Sequence, residues 1–192
     1  MRVIAGEARR LLLKTPAGLE TRPTSDKIKE TLFNILMPDL MQCTFLDLFS
    51  GSGGIGIEAL SRGAKEAVFV ERYKSAIQCI EENLVTTKMQ DRARVFKTDV
   101  MTALRQMEGR YQFDIIFMDP PYEHDLEKEV LYYLKDSSLV HDGTMIIMET
   151  SERTDVSYVN DDASLCMELY RTKKYKSNAH HFIRVIKEEQ EA

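Results

Sequence analysis

Asp119-Pro120-Pro121-Tyr122 is the most chemically specific segment of the chain. It directly follows Phe113-Asp114-Ile115-Ile116-Phe117-Met118, a nearly all-apolar run that reads as a strand buried on both faces. The exocyclic amino group of a nucleobase is a poor nucleophile, because its lone pair is delocalised into the ring. A group that accepts both of its N-H hydrogens leaves electron density available for an incoming methyl carbon. Asp119 supplies one acceptor as a carboxylate, and the backbone carbonyl of Pro120 supplies a second. Pro120 and Pro121 fix φ near -65° and bias Asp119 toward extended geometry, so both acceptors are held before a base arrives. Tyr122 is placed to stack on the base. The competing reading is a rigid turn and nothing more, since each of these residue types is at home in turns.

A second constellation follows the first central strand. Asp47-Leu48-Phe49-Ser50-Gly51-Ser52-Gly53-Gly54-Ile55-Gly56 carries Gly51-x-Gly53-x-x-Gly56 at a strand-to-helix junction, where the chain turns sharply and lets a ligand approach the backbone. A pyrophosphate at that helix start would be repelled by Asp47. A carboxylate suits a cationic ligand, such as S-adenosylmethionine with its sulfonium and ammonium groups. Glu71 ends the next strand and can accept from two ribose hydroxyls, while Asp99 after the third strand can accept from an adenine amino group. Phe49 and Val100, which flank these positions, complete the candidate cofactor set. The alternatives here are a tight turn with no ligand for the glycines, and a helix cap for Asp99.

These groups require a scaffold that brings strand ends together. From residue 44 onward strands alternate with helices: strands over 44–49, 67–71, 93–97, 113–118 and 144–149, helices over 55–61, 73–85, 100–106 and 126–134. In the 73–85 helix Ala76, Ile77, Ile80 and Leu84 recur at three- and four-residue spacing. Strands joined by helical crossovers predict an α/β fold, Rossmann-like, with a mostly parallel seven-stranded sheet. Two β-rich stretches near 165–172 and 181–186, joined by a short polar link, predict an antiparallel hairpin at one edge. Thr24-Ser25-Asp26 caps a helix with Ile28, Leu32, Ile35 and Leu36 on one face, preceded by a small hairpin pairing 2–4 with 11–14. The expected organisation is an appendage over 1–43, a core over 44–187 and a frayed tail over 188–192.

With 192 residues, 43% hydrophobic and 30% charged, the composition is that of a globular protein, not of a disordered or collagen-like chain. No run approaches the ~20 apolar residues of a membrane span, and Leu11-Leu12-Leu13 is too short for a signal core, so the expected location is the cytoplasm with no membrane partner. Three widely spaced cysteines without a CxxC pair, and His180-His181 without partner spacing, give no metal site; the histidines are expected in a strand or at the surface. The net charge is -5, but residues 1–36 carry +3 and residues 171–187 carry +6, which leaves -14 on the rest. A local basic field engages phosphates even on an anionic protein, although charge runs are also common on ordinary solvated faces.

Taken together, these motifs resemble class I S-adenosylmethionine-dependent methyltransferases, and more closely the RsmD-type family that methylates guanine N2 in 16S ribosomal RNA. The resemblance covers nearly the whole chain: Met1-Arg2-Val3-Ile4-Ala5-Gly6, Arg22-Pro23-Thr24-Ser25-Asp26, Glu30-Thr31-Leu32-Phe33-Asn34-Ile35-Leu36, Leu46 to Gly53, Glu58-Ala59-Leu60-Ser61-Arg62-Gly63-Ala64 and Phe69-Val70-Glu71. It implies that the partner is 16S rRNA, in the small subunit or an assembly intermediate. Arg2, Arg9, Arg10, Arg22 and Lys27, dense around the leading motif, are the expected RNA contacts. One departure stands out. Where the family usually carries a Tyr-Gly-x-Thr-like turn, this chain reads Tyr175-Lys176-Ser177-Asn178-Ala179. Rival readings are an adenine-N6 methyltransferase, an NAD-dependent oxidoreductase, which explains neither Asp47 nor the Asp-Pro-Pro-Tyr turn, and a silent cofactor-binding module that assists RNA assembly.

Overall fold

A computed structural model describes residues 1–16, 25–121 and 125–187. Arg22 and Tyr122, both expected site residues, lie outside the described residues, as does the expected tail. The chain divides into two compact units, Met1–Ala103 and Leu104–Ala192.

In the first unit, helix α1 (Asp26–Leu40) starts where the sequence puts it, because the Ser25 hydroxyl accepts the Ile28 N-H at 3.3 Å. Its inward stripe includes Leu32, Phe33, Leu36 and Leu40. Strands β1 (Thr44–Leu48), β2 (Glu66–Val70) and β3 (Ala93–Phe96) are parallel, with β2 between the other two. Leu48 pairs with Val70 and Val70 with Phe96, so all three strands end in one row. Phe45, Leu46, Leu48, Val68, Phe69 and Val70 are fully buried, the pattern of strands covered on both faces. Helices α2 (Gly54–Ser61) and α3 (Lys74–Thr87) make the crossovers.

The leading hairpin forms with Arg2 bridged antiparallel to Leu12, and it docks on α2. Glu58, buried within α2, accepts the N-H groups of Ile4 at 2.8 Å and Ala5 at 3.0 Å, and the Arg62 Nε at 2.8 Å. Lys29 of α1 is equally buried; its ammonium donates to the Arg2 carbonyl at 2.6 Å and lies 3.3 Å from Glu58. Burial pulls the Lys29 pKa down, against the opposing pull of Glu58. One ionic knot therefore ties the hairpin, α1 and α2 together.

The second unit holds β4 (Phe113–Met118), α5 (Leu126–Leu134), β5 (Val140–Ser151), the short α6 (Tyr158–Asp161), β6 (Met167–Lys174) and β7 (Asn178–Val185). Helix α4 (Val100–Met107) carries the division between the units. Strand β4 pairs parallel with β5, while β7 runs antiparallel to both β5 and β6. The described residues thus form the seven strands expected, mostly parallel, with an antiparallel hairpin at the end. Several boundaries differ from the sequence reading, most of them by one or two residues. Strand β5 starts at Val140 rather than 144, and the hairpin strands run Met167–Lys174 and Asn178–Val185. Backbone pairing to β7 extends β6 through polar residues that show no apolar alternation. His180 and His181 lie in β7 but are buried, not superficial.

Candidate functional site

In the first unit, the glycine loop is bent by three left-handed residues: Phe49 at φ 61°, Gly51 at φ 54° and Gly53 at φ 78°. Glycine removes the steric cost at two of them. Ser50 pins the loop to the sheet, donating its hydroxyl to the Asp47 carbonyl at 2.6 Å and accepting the Val70 N-H at 2.9 Å. Gly56 fits because a Cβ there would lie 2.4 Å from the ring of Phe69 on β2. At Gly51 a Cβ would meet nothing within 4 Å, so this side of the loop is open to a ligand.

Asp47 lies inside β1 rather than at its end and is 1% exposed. Its Oδ2 accepts the Gly56 N-H at 2.9 Å, which holds the start of α2 against the strand. Burial raises its pKa to about 7, the Gly56 N-H opposes that rise and nearby Glu71 adds to it. Glu71, just beyond β2, is buried and serves three backbone N-H groups. One oxygen accepts from Gly51 at 2.9 Å, and the other accepts from Arg72 and Tyr73, each at 2.8 Å. A carboxylate offers about four acceptor positions, so Glu71 keeps one open, and a ribose diol that takes two must displace the Gly51 N-H. Asp99 caps α4 through the Thr102 N-H at 2.9 Å, a bond that lowers its pKa. Its second oxygen faces Thr98 at 3.4 Å, and Val100 behind it is buried.

Two loop supports escaped the sequence reading. Asn83 of α3 donates to the Ser52 carbonyl at 3.0 Å and to the Lys14 carbonyl at 2.9 Å, and accepts the Lys14 N-H at 2.8 Å. Met1 packs where a Cβ on Gly54 would lie 2.5 Å from its sulfur. Neither contact has a local sequence signal, because both join residues far apart in the chain. Of the expected RNA contacts, Arg9, Arg10 and Lys27 are exposed, while Arg2 is exposed but paired with Asp26 at 2.7 Å.

In the second unit, Asp119 follows β4 half-buried, Pro120 is buried and Pro121 is exposed. Met118 pairs with Met148, so Asp119 and Glu149 each stand one residue past a register pair. Glu149 belongs to a polar cluster that the sequence did not announce. His180, fully buried opposite it, bonds one carboxylate oxygen through Nε2 at 2.9 Å, and Asn178 donates to the other. The Tyr175 hydroxyl stands 3.4 Å from His180 Nδ1. His181 sits between Thr150 and Thr172, 3.0 Å from each hydroxyl, and burial lowers its pKa to about 4, so it is neutral at ordinary pH. The β6–β7 turn closes with the Tyr175 N-H on the Asn178 carbonyl at 2.8 Å. None of Tyr175, Lys176, Ser177 or Asn178 has positive φ, so this turn forms without the family's glycine.

A glycine loop over the row of parallel strand ends, acids beyond those strands and an antiparallel closing hairpin define the class I methyltransferase fold. A solved Escherichia coli chain described as a candidate methyltransferase shares it with a TM-score of 0.84 and 33% identity, over 97% of this chain and 98% of that one. The chain belongs to the family described as Conserved hypothetical protein 95, the RsmD-type family, whose profile matches residues 1–184. A Bacillus subtilis protein described as a candidate rRNA methyltransferase is 40% identical over 157 residues, 81% of this chain and 85% of its own length. A Haemophilus influenzae protein named ribosomal RNA small subunit methyltransferase D is 37% identical over 155 residues, 79% of each chain.

Proposed function

We propose that the protein transfers a methyl group from S-adenosylmethionine to the N2 amino group of a guanine in 16S rRNA, within the small ribosomal subunit or an assembly intermediate, in the cytoplasm. The names of its relatives support rRNA as the substrate. No helix among the described residues is long and apolar enough to cross a membrane. The observation that carries the chemistry is a half-buried carboxylate fixed by two prolines at the end of a buried strand.

The residues of the first unit fit the methyl donor. The open face at Gly51 admits it, the remaining acceptor position of Glu71 takes a ribose hydroxyl, and Asp99 takes the adenine amino group through its second oxygen. Phe49 and Val100 provide apolar contact. Asp47 is too buried to touch a ligand broadly; it works by holding Gly56 and by its field, which favours a cation when ionised. The donor contributes a methyl group on a sulfonium, a carbon already prepared for displacement.

Asp119 and the Pro120 carbonyl accept the two N-H hydrogens of the guanine amino group and orient its lone pair along the line of attack. Tyr122 stacks on the base. With the donor bound, the nitrogen would take the methyl group and the sulfonium sulfur would keep the C-S electron pair. The surplus proton then leaves the alkylated nitrogen toward Asp119, which need not be a strong base because that nitrogen becomes acidic once methylation begins. Arg2, Arg9, Arg10, Arg22 and Lys27 contact RNA phosphates and position the substrate.

The test incubates the protein with labelled S-adenosylmethionine and undermethylated small subunits, naked rRNA or DNA, and identifies the modified nucleoside by mass spectrometry. N2-methylguanosine from small subunits is expected; N6-methyladenine overturns the proposal. Asp119→Ala is expected to keep its affinity for S-adenosylhomocysteine and lose turnover on the order of 10²-fold.

A further inference from the structure

Strand β6 is an edge strand on which every residue from Tyr170 to Lys174 is exposed. Its register with β7 shifts between Leu169 and Arg171, so Tyr170 is an inserted residue. Such a bulge re-aims side chains, and here it brings both Tyr170 and Arg171 over Phe182. The Arg171 guanidinium lies 5.7 Å from the Phe182 ring, the Tyr170 ring lies 6.4 Å from it, and the Arg184 guanidinium lies 5.1 Å from Tyr170. The result is a row of two rings flanked by two cations. Arg184 pairs in register with Glu168, yet its guanidinium sits over the tyrosine ring and makes no ion pair with that carboxylate.

The row belongs to a larger basic surface. Residues 171–187 contain six Lys or Arg and no acid. Among the described residues Arg171, Lys173, Lys174, Lys176 and Arg184 form no ion pair. Phe182 and His180 alternate along β7, so they share a face, and Lys173 pairs with His180 on it. This face continues to Glu149, the residue that follows the register partner of Met118 at the Asp119 turn. Lysines on an edge strand also deter sheet-to-sheet pairing, but that role needs no arginine held over a tyrosine ring. Unneutralised cations beside the exposed Tyr170 ring, which packs next to the buried Phe182, fit single-stranded RNA, whose phosphates seek cations and whose splayed bases stack on rings and guanidinium planes.

We propose that the bulged face of the β6–β7 hairpin, centred on the Arg184–Tyr170–Phe182–Arg171 row, binds the single-stranded RNA that flanks the target nucleotide. The choice of RNA as partner rests on the rRNA methyltransferase reading. Fluorescence anisotropy with a labelled single-stranded RNA oligonucleotide tests it on the full chain, with S-adenosylhomocysteine affinity as the check on folding and methylation of small subunits measured in parallel. Tyr170→Ala is expected to weaken RNA binding roughly fivefold or more, and Tyr170→Phe to restore it. Arg171→Gln with Lys173→Gln should make the plot of log affinity against log salt shallower by about 1.4 for two lost phosphate contacts on a single strand. Unchanged RNA affinity and salt slope in these variants, or increased self-association alone, overturns the proposal whether or not methylation persists. RNA affinity that falls as expected supports it, even if the wild type makes no N2-methylguanosine, a result that would count only against the assigned reaction.

Discussion

Gly56→Ala isolates the geometry of the glycine loop in one methyl group. The added Cβ would lie 2.4 Å from Phe69 Cε1 and 2.7 Å from Cζ. An ordinary carbon contact is about 3.5–4.0 Å, so the ring must retreat by about 1 Å. Phe69 is fully buried and also lies against Gly53, where a Cβ would stand 3.3 Å away, so a displaced ring presses on the loop or on the β2 core. Overpacking costs about 1–3 kcal/mol, and a 2.4 Å contact on a fully buried ring belongs in the upper part of that range, about 2–3 kcal/mol. Alanine returns about 1 kcal/mol of helix propensity, because Gly56 is inside α2. A net destabilisation near 1–2 kcal/mol is expected in urea unfolding, together with weaker S-adenosylhomocysteine binding by calorimetry. Phe69→Leu should relieve the clash, so the double variant Gly56→Ala/Phe69→Leu is expected to be more stable than the sum of the two single losses by at least 1 kcal/mol. Additive losses, or a Gly56→Ala protein as stable as the wild type, would refute the packing argument.

The raised pKa of Asp47 makes stability depend on pH. Between about pH 4 and about 7 the folded protein keeps a proton that the unfolded chain has lost, so stability falls as pH rises through that window and levels off above it. Asp47→Asn should flatten that slope, and the urea midpoints of the two proteins should diverge by the equivalent of about 4 kcal/mol from one end of the window to the other; parallel profiles would contradict the buried acid. Lys29→Met removes one cation from the Glu58 knot, and a loss of about 3 kcal/mol is expected from chemical denaturation; a change under about 0.5 kcal/mol, the scale of an ordinary surface substitution, would show that the knot is not a tether. Glu149→Leu strands the His180 Nε2 and the Asn178 amide, and a thermal melt should report a loss of about 1–3 kcal/mol.

Much of the fold was legible because hydrophobic period and punctuation act locally. The all-apolar run of β4, the glycines after β1 and the Ser25 cap announce themselves within a few residues, as do the Asp119 turn and Glu71 just past β2. Residues 173 and 174 did not, because a polar edge strand is held by the backbone of β7 rather than by its own apolar faces. Glu58, Lys29, Asn83, Glu149 and His180 are ordinary letters in the sequence. Their side-chain hydrogen-bond partners are 27 or more residues away, except Arg62, four residues from Glu58, and Tyr175, five residues from His180. Local propensity specifies which strand and which turn will form; only long-range packing decides that a lysine and a glutamate share a dry interior, that Asp47 braces a helix instead of ending a strand, and that a bulge turns Tyr170 toward Arg184. A charge taken out of water must find its partner in space, and that distance is a property of the tertiary fold.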